Sequence, residues 1–237
     1  MGHIPTSLRP EHNTGSRDQR ISGGIGDLAG AESAFREALT AWSAKLGTGH
    51  RYTLRATSNL GAVLGNAGKS TEAEQLLRGV VRTRRAAGDS TDDLGATLRN
   101  LGLLLYHTGR FAEAERTLLE TLSIYRRELP KGHPRLAEAL TALGQVLTAR
   151  GRAQEAEPLL SQAITIRETK LGPHNLRTAE CHEALGVAMA ALGKRVEAES
   201  LFVSSCRAMA ADRWGSGQAR QCASDLRAVR GIRPPRP

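Results

Sequence analysis

The stretch Ala67-Gly68-Lys69-Ser70 contains the residue types that a phosphate-binding loop uses. In such a loop, glycine amides and a lysine surround the phosphates of a nucleotide. The complete pattern needs another glycine five positions before Gly68, where this chain has Val63. It also needs a preceding β-strand, where this chain has a predicted helix. The stretch is therefore predicted to be a turn between two helices, and no nucleotide or other cofactor is expected.

Three histidines fall in connecting segments, where they could ligate a metal ion: His50, His133 and His174. They recur at one place in a repeating sequence, so successive histidines would lie a whole repeat apart and could not converge on one ion. We expect each histidine to cap or hydrogen-bond the start of the next helix. Neither a metal site nor a catalytic nucleophile with its base is predicted.

The cysteines are Cys181, Cys206 and Cys222, and they lack the spacing of a zinc site. Cys181 and Cys206 fall in opposite helices of one predicted repeat, where small buried side chains are expected. An odd number of cysteines fits a reducing compartment. The sequence also has no apolar run of ~18 residues and no apolar secretory start. A cytoplasmic protein without a membrane span is therefore predicted.

The elements that carry these residues repeat with a nearly fixed period. A Leu-Gly pair recurs at intervals of 41, 42 and 42 residues, with its glycine at Gly61, Gly102, Gly144 and Gly186. An Ala-Glu pair keeps the same register and begins at Ala73, Ala114, Ala156 and Ala198. A period of this length is typical of a stacked array. Such an array has no single deep cleft, and its extended surface suits the binding of another polypeptide.

Each repeat is predicted to form one helix, a tight turn and a second helix. Apolar residues at helical spacing, such as Leu98, Leu101 and Leu105, give the first helix a buried stripe. A glycine is expected to end that helix with a left-handed backbone at Gly68, Gly109, Gly151 and Gly193. The alanine of each Ala-Glu pair is predicted to lie where the two antiparallel helices approach most closely.

These features resemble the tetratricopeptide repeat, whose signature is Leu-Gly in the first helix and alanine before an apolar residue in the second. The connecting sequences LGTGH from Leu46, LPKGHP from Leu129 and LGPH from Leu171 resemble the kinesin-light-chain type of that family. The resemblance covers residues 27–229. It implies an all-α, right-handed superhelical solenoid of antiparallel helix pairs with about ten helices.

Within residues 27–229 we predict a half unit, four full units of about 42 residues and a C-terminal capping helix. Residues 1–26 are predicted to be a disordered tail, and residues 230–237 a basic, proline-rich tail. The half unit is a helix from Leu28 to Leu46 without a preceding partner helix. Its apolar face predicts either a homodimer formed about a two-fold axis or the truncation of a longer ancestral array.

The resemblance also implies a concave groove that is lined by the first helices of the repeats. Its N-terminal part is basic and rich in amides, and comprises Arg55, Ser58, Asn59, Asn66, Arg99, Asn100, Tyr106 and His107. Its C-terminal part is largely acidic, and comprises Glu138, Thr141, Gln145, Glu180 and Glu183. The amides of Asn59 and Asn100 could pair with both the donors and the acceptors of an extended peptide backbone.

The predicted function is that of a non-enzymatic scaffold that binds a peptide segment of a protein partner in this groove. A chaperone C-terminus is disfavoured, because the repeats that grip it carry basic residues where this chain has Glu138 and Ala142. An internal segment of mixed charge that is extended or weakly amphipathic is favoured instead.

The alternative prediction comes from a second resemblance, to the C-terminal segments of bacterial serine/threonine protein kinases. The sequence contains neither the kinase glycine-rich loop nor the HRD and DFG motifs. On this alternative, the chain would be a regulatory or substrate-recruiting segment associated with such a kinase.

A net charge of +9 makes nucleic acid a third class of partner. Most arginines, however, stand within a helical turn of a glutamate, as Arg116 does beside Glu113 and Glu115. That pattern predicts a paired and solvated face. A basic cluster without acids occurs only at the end of the chain, at Arg227, Arg230, Arg233 and Arg236. Nucleic-acid binding is therefore disfavoured.

Overall fold

The computed structural model describes residues 28–211 and 216–231, and all regular structure in these ranges is α-helical. The helices are α1 Leu28–Leu46, α2 Arg51–Asn66, α3 Ser70–Ala86, α4 Asp92–His107, α5 Phe111–Glu128, α6 Pro134–Ala149, α7 Ala153–Leu171, α8 Leu176–Ala191, α9 Arg195–Ala211 and α10 Ser216–Arg230. These ten helices confirm the predicted all-α fold. The predicted tail at residues 1–26, and nearly all of the tail at residues 230–237, lie outside the described residues.

The described helices fall into two compact units, with the division after Gly88. In the first unit, α2 packs against both α1 and α3. In the second unit, the pairs α4/α5, α6/α7 and α8/α9 each pack internally, and each pair packs on the helix that follows it. The first helices of successive pairs are also neighbours, because α4 contacts α6 and α6 contacts α8. Among the described helices, none is both long and apolar enough to cross a membrane.

The predicted turn glycines are confirmed. The turns after α2, α4, α6 and α8 place a glycine at φ 77°, 77°, 75° and 76°, at Gly68, Gly109, Gly151 and Gly193. Only glycine adopts this left-handed conformation without a steric penalty. The second helix of each pair then carries one glutamate in its first turn, where it opposes the positive end of the helix dipole.

The two helices of a pair leave no space for a side chain at the glycine of the Leu-Gly motif. A Cβ atom built on Gly102 would lie 2.7 Å from Cγ of Leu118, so the leucine occupies the space that a side chain would need. The glycines of the other Leu-Gly pairs, Gly61, Gly144 and Gly186, likewise face Leu77, Leu160 and Phe202. The alanines of the Ala-Glu pairs, which were predicted to lie at the closest approach of the two helices, are completely buried: Ala73, Ala114, Ala156 and Ala198. Glycine and alanine thus share one function, which is to let two helices pack closely.

Helix α1 is the least covered helix of the first unit. All of its residues are described, and none of them is buried. Its Trp42 packs near the ring of Tyr52 on α2, with ring centroids 6.1 Å apart. Leu46 at its end keeps 40% of its surface exposed.

Candidate functional site

The first helices of the second unit each present a stripe of half-exposed residues. On α4, α6 and α8, residues at positions i, i+4 and i+7 are partly or fully exposed, whereas most residues between them are buried. Because α4 contacts α6 and α6 contacts α8, the three stripes belong to neighbouring helices. We name this surface the first-helix face, and it comprises Arg99, Leu103, Tyr106, Thr141, Gln145, Thr148, Glu183, Val187 and Ala190.

The sequence-predicted groove residues of the second unit fall on or beside this face. Arg99, Tyr106, Thr141, Gln145 and Glu183 belong to it, and His107, Asn100, Glu138 and Glu180 are exposed or partly exposed on the same helices. Sequence reasoning missed Leu103, Thr148, Val187 and Ala190. The signal that could have found them is their spacing, because Leu103 and Val187 follow Arg99 and Glu183 by one helical turn.

The predicted groove residues of the first unit lie on α2 and are described separately. Arg55 and Asn59 are partly exposed, and Asn66 is exposed. The prediction that Ser58 lines the groove is wrong, because only 5% of its surface is exposed. Its small side chain takes a place in the core of the unit, so a ligand cannot reach it.

A bridging carboxylate joins three helices beside the first-helix face. Nη1 of Arg99 on α4 lies 3.1 Å from Oε2 of Glu138 on α6. Nη2 of Arg167 on α7 donates to Oε1 of the same carboxylate at 3.1 Å. Burial alone would raise the pKa of Glu138, but Arg99 and Arg167 hold it below its ordinary value. The sequence predicted a basic half and an acidic half of the groove. Here a basic residue of one half, Arg99, forms an ion pair with an acidic residue of the other, Glu138, so their charges compensate each other.

The next carboxylate along the face is also partnered. Nη1 of Arg177 lies 3.1 Å from Oε2 of Glu180 on α8. Nε2 of Gln218 on α10 donates to Oε1 of Glu180 at 2.8 Å. Glu180 is thus engaged within the protein, and its charge is compensated by Arg177.

Glu183, one turn further along α8, has a different environment. Burial, followed by the carboxylates of Asp225 and Glu180, raises its pKa to about 7. Asp225 lies on α10, and its own pKa is raised by burial although Gln221 donates to it at 3.0 Å. Two like-charged groups therefore act on each other across α8 and α10.

Buried side chains of very different polarity share one repeat position near the ends of the second helices. Arg84, Tyr125, Arg167 and Met209 occupy it and are 3%, 0%, 3% and 0% exposed. Burial raises the pKa of Tyr125 to about 12. The sequence analysis did not identify these four residues as buried, although the repeat period aligns them. The burial of the two arginines was not expected, because arginine is ordinarily a surface residue.

Lys69 does not belong to a phosphate-binding loop. Its Nζ lies 2.8 Å from Oε2 of Glu32 on α1, and Gly68 forms the predicted turn. The second unit repeats this ion pair between the glutamate of an Ala-Glu motif and a cation about one repeat later. The distances are 2.8 Å for Arg152 with Glu115 and 2.9 Å for Lys194 with Glu157. Glu32, Glu115 and Glu157 thus each form an ion pair with a later turn of the array.

Two of the three loop histidines cap helices as predicted. Nδ1 of His50 accepts from the amide of Tyr52 at 3.3 Å, and Nδ1 of His133 accepts from the amide of Arg135 at 3.2 Å. The prediction is wrong for His174, because Asn175 caps α8 instead. His174 stands one position before Asn175, which occupies the N-cap position of α8. Within the described residues, no three His, Cys, Asp or Glu side chains cluster closely enough to hold a metal ion.

The cysteines depart from the prediction in one respect. Cys181 is free and buried, as expected. Cys206 on α9 forms a disulfide with Cys222 on α10, with their Cα atoms 5.5 Å apart. The two cysteines are 16 residues apart in the sequence, and this spacing alone does not predict a disulfide. Only the packing of α10 on α9 brings them together. The cysteines therefore give no support for a reducing compartment.

Comparisons with known proteins agree with this architecture. The sequence matches the tetratricopeptide repeat family over residues 24–86, 93–169 and 142–211. None of the curated proteins matches the sequence significantly.

Solved structures with the same arrangement come from two sources. A protein of Podosopora anserina, classed with the kinesin light chains and built of nearly identical TPR-like repeats, is 23% identical. It aligns with a TM-score of 0.62 over 82% of this chain and 92% of its own. BtubC (BKLC) from P. vanneervenii is 17% identical and aligns with a TM-score of 0.66 over 91% of this chain and 84% of its own. At these identities the likeness concerns the fold alone.

Proposed function

The chain belongs to the tetratricopeptide repeat family, and we propose that it is a protein-interaction scaffold that binds a peptide segment of a partner on the first-helix face. The observation that carries this proposal is the side-by-side arrangement of half-exposed stripes on α4, α6 and α8. A continuous surface of this kind can contact an extended segment at several points, which a single helix cannot do.

The chemistry of the face favours recognition by shape and by amides. Leu103 and Val187 offer apolar contacts, and 41% of the surface of Val187 is exposed. Gln145 carries an amide that can bond to a peptide backbone. Exposed apolar side chains bordered by polar groups are typical of protein-binding surfaces.

The paired charges refine the kind of partner. Because Arg99, Glu138 and Arg167 neutralise one another, a ligand meets little net charge at this border of the face. We therefore infer that the partner segment is extended and presents apolar side chains, without a long run of either charge. This agrees with the segment of mixed charge that the sequence favoured over an acidic chaperone tail.

Ion pairs between cationic side chains and carboxylates also argue against nucleic acid as the partner. Binding to a phosphate backbone requires cationic side chains that can replace the small counterions around the phosphates. Lys69 and Lys194, among others, instead contact carboxylates of neighbouring helices. A protein partner is the class that these observations support.

Selection from a random-peptide phage library on the full chain tests the proposal. Val187→Ser should weaken binding of the selected peptides by about tenfold, because it removes roughly 1.4 kcal/mol of apolar contact from the face. Leu119→Ser is the matched control, since Leu119 is 50% exposed but lies on the second helix α5. Equal affinities for the two variants, with unchanged melting temperatures, would contradict binding at the first-helix face.

Self-association through α1 is proposed separately. The supporting observation is that none of the residues of α1, all of them described, is buried. The experiment is light scattering on the full chain and on a Leu46→Glu variant, which places a charge on a residue that is 40% exposed. A dimer that Leu46→Glu dissociates would support the proposal, and a monomeric wild type at high concentration would contradict it.

A further inference from the structure

Helix α10 packs on α9, but it buries few of its own side chains completely. Of its described side chains, only that of Cys222 is buried, while Leu226 and Val229 are partly exposed. Sγ of Cys222 lies 3.3 Å from Oγ of Ser205 on α9. The buried anchor of α10 is therefore also one half of the Cys206–Cys222 disulfide.

The remaining contacts of α10 are polar and partly unfavourable. Gln218 donates to Glu180 at 2.8 Å, and Nε of Arg230 lies 2.8 Å from Oε1 of Glu199. Nη2 of Arg195 donates to the carbonyl oxygen of Val229 at 2.5 Å. Against these, Asp225 opposes Glu183 of α8 across the interface.

We propose that α10 is a redox-released cap, and that reduction of the Cys206–Cys222 disulfide lets it leave α8 and α9. The disulfide carries the attachment because Cys222 is the only fully buried side chain among the described residues of α10, and surface ion pairs contribute little. A covalent link makes these weak contacts intramolecular and keeps them formed. Without the link, the helix has one buried side chain and an opposing pair of carboxylates at its interface.

The release step is an ordinary thiol–disulfide exchange. A thiolate of a small dithiol attacks Sγ of Cys206, because Cys206 is partly exposed whereas Cys222 is completely buried. The Sγ–Sγ bond breaks, a mixed disulfide forms at Cys206, and Cys222 leaves as a thiolate that takes up a proton. The second thiol of the reductant then displaces Cys206. The protein disulfide gains two electrons and two protons, and the dithiol becomes a cyclic disulfide.

Burial of Glu183, followed by the carboxylates of Asp225 and Glu180, makes the release depend on pH. The groups that act on Glu183 are Glu180 on its own helix and Asp225 on α10, and Gln221 donates to Asp225. Glu183 has a raised pKa when α10 is docked, so the docked state binds a proton more tightly than the released state. Docking of the reduced chain is therefore favoured at low pH and is weakened as the pH rises through about 7.

Release would also change the surface that a partner meets. Glu180 loses its contact with Gln218, and Glu183 on the first-helix face loses the electrostatic repulsion of Asp225. This consequence rests on the proposed function, whereas the release itself does not.

Hydrogen exchange of the full chain, followed by mass spectrometry, tests the release without a ligand. At about pH 7.5, reduction with dithiothreitol should increase exchange in peptides from α10 by at least about tenfold. Peptides from α6 serve as the internal control and should not change. Cys222→Ser should show the same increase without reductant, and Cys181→Ser should not, because Cys181 is unpaired. Glu183→Gln should restore part of the protection in the reduced chain.

Two results would overturn the proposal. One is equal protection of α10 in the oxidised and reduced chain at both about pH 5.5 and about pH 7.5. The other is a count of three free thiols in the chain purified without reductant. Reduction of the wild-type chain keeps the test decisive even if Cys222→Ser does not fold. Since no ligand takes part, failure here leaves the peptide-binding proposal to be judged by its own experiment.

Discussion

Arg99 on α4 and Glu138 on α6 form an ion pair between two neighbouring first helices, with 3.1 Å between Nη1 and Oε2. Arg167 completes a bridge to α7 through the other carboxylate oxygen. The side chains of Arg99, Glu138 and Arg167 are 25%, 19% and 4% exposed, so the cluster is largely withdrawn from water. Residues that the sequence placed in a ligand groove therefore also fix the geometry of that groove.

Glu138→Gln should destabilise the fold strongly. Removing the carboxylate charge leaves two largely buried guanidinium groups without compensation, and breaking such a pair costs about 3 kcal/mol or more. Urea unfolding should show the loss as a lower midpoint at unchanged slope. Glu155→Gln is the control, because Glu155 forms an exposed ion pair with Arg152. A midpoint unchanged by Glu138→Gln would show that the bridge contributes no stability.

The repeat period predicted the helix pairs, their turns and their small residues, because these features recur in every repeat and depend on local rules. The bridge was not predictable in the same way. Predicting it requires the distances between residues on α4, α6 and α7. The repeat period gives no help either, because the positions equivalent to Arg167 in neighbouring repeats hold Tyr125 and Met209. Spacing along one helix could have revealed Leu103 and Val187, whereas the disulfide required the packing of α10 on α9.

Gly144→Ala should destabilise the second unit. A Cβ atom at Gly144 would lie 2.6 Å from Cγ of Leu160, so α6 and α7 must separate, at a cost of about 1 to 3 kcal/mol. Gly79→Ala is the matched control in the helix α3, where an added Cβ meets nothing within 4 Å. Since alanine favours the helix over glycine, Gly79→Ala should be neutral or stabilising by up to about 1 kcal/mol. Thermal unfolding of the two variants distinguishes them, and equal melting temperatures would contradict the close packing at Gly144.

The ion pair of Lys194 with Glu157 should contribute modestly and depend on salt. The side chains are 42% and 34% exposed at a separation of 2.9 Å. A double-mutant cycle with Lys194→Ala and Glu157→Ala should give a coupling of about 0.2 to 1 kcal/mol. The coupling should shrink at about 1 M salt, where screening acts over roughly 3 Å. A coupling that persisted unchanged in salt would indicate contacts other than charge.

His133 should make part of the stability of the second unit dependent on pH. Its Nδ1 accepts the amide of Arg135 at 3.2 Å and must be unprotonated to do so. Burial, followed by Arg135, lowers the pKa of His133 below its ordinary value. The unfolded chain, with a pKa of about 6.5, then binds the proton more readily, so this contribution is present above about pH 6.5 and is lost as the pH falls through the folded pKa.

His133→Asn isolates that contribution, because Asn175 already caps α8 with a side-chain oxygen that does not titrate. Urea unfolding at about pH 7.5 and about pH 5.5 should show a smaller loss of stability for His133→Asn than for wild type. The difference should approach the value of one helix cap, about 1 kcal/mol. Comparing the two proteins removes the effects of Glu183 and Asp225, whose raised pKa values act in the opposite direction. His174→Asn is the control, since His174 is exposed and does not cap α8. If His133→Asn and wild type lost equal stability at low pH, protonation of His133 would not be what weakens the start of α6.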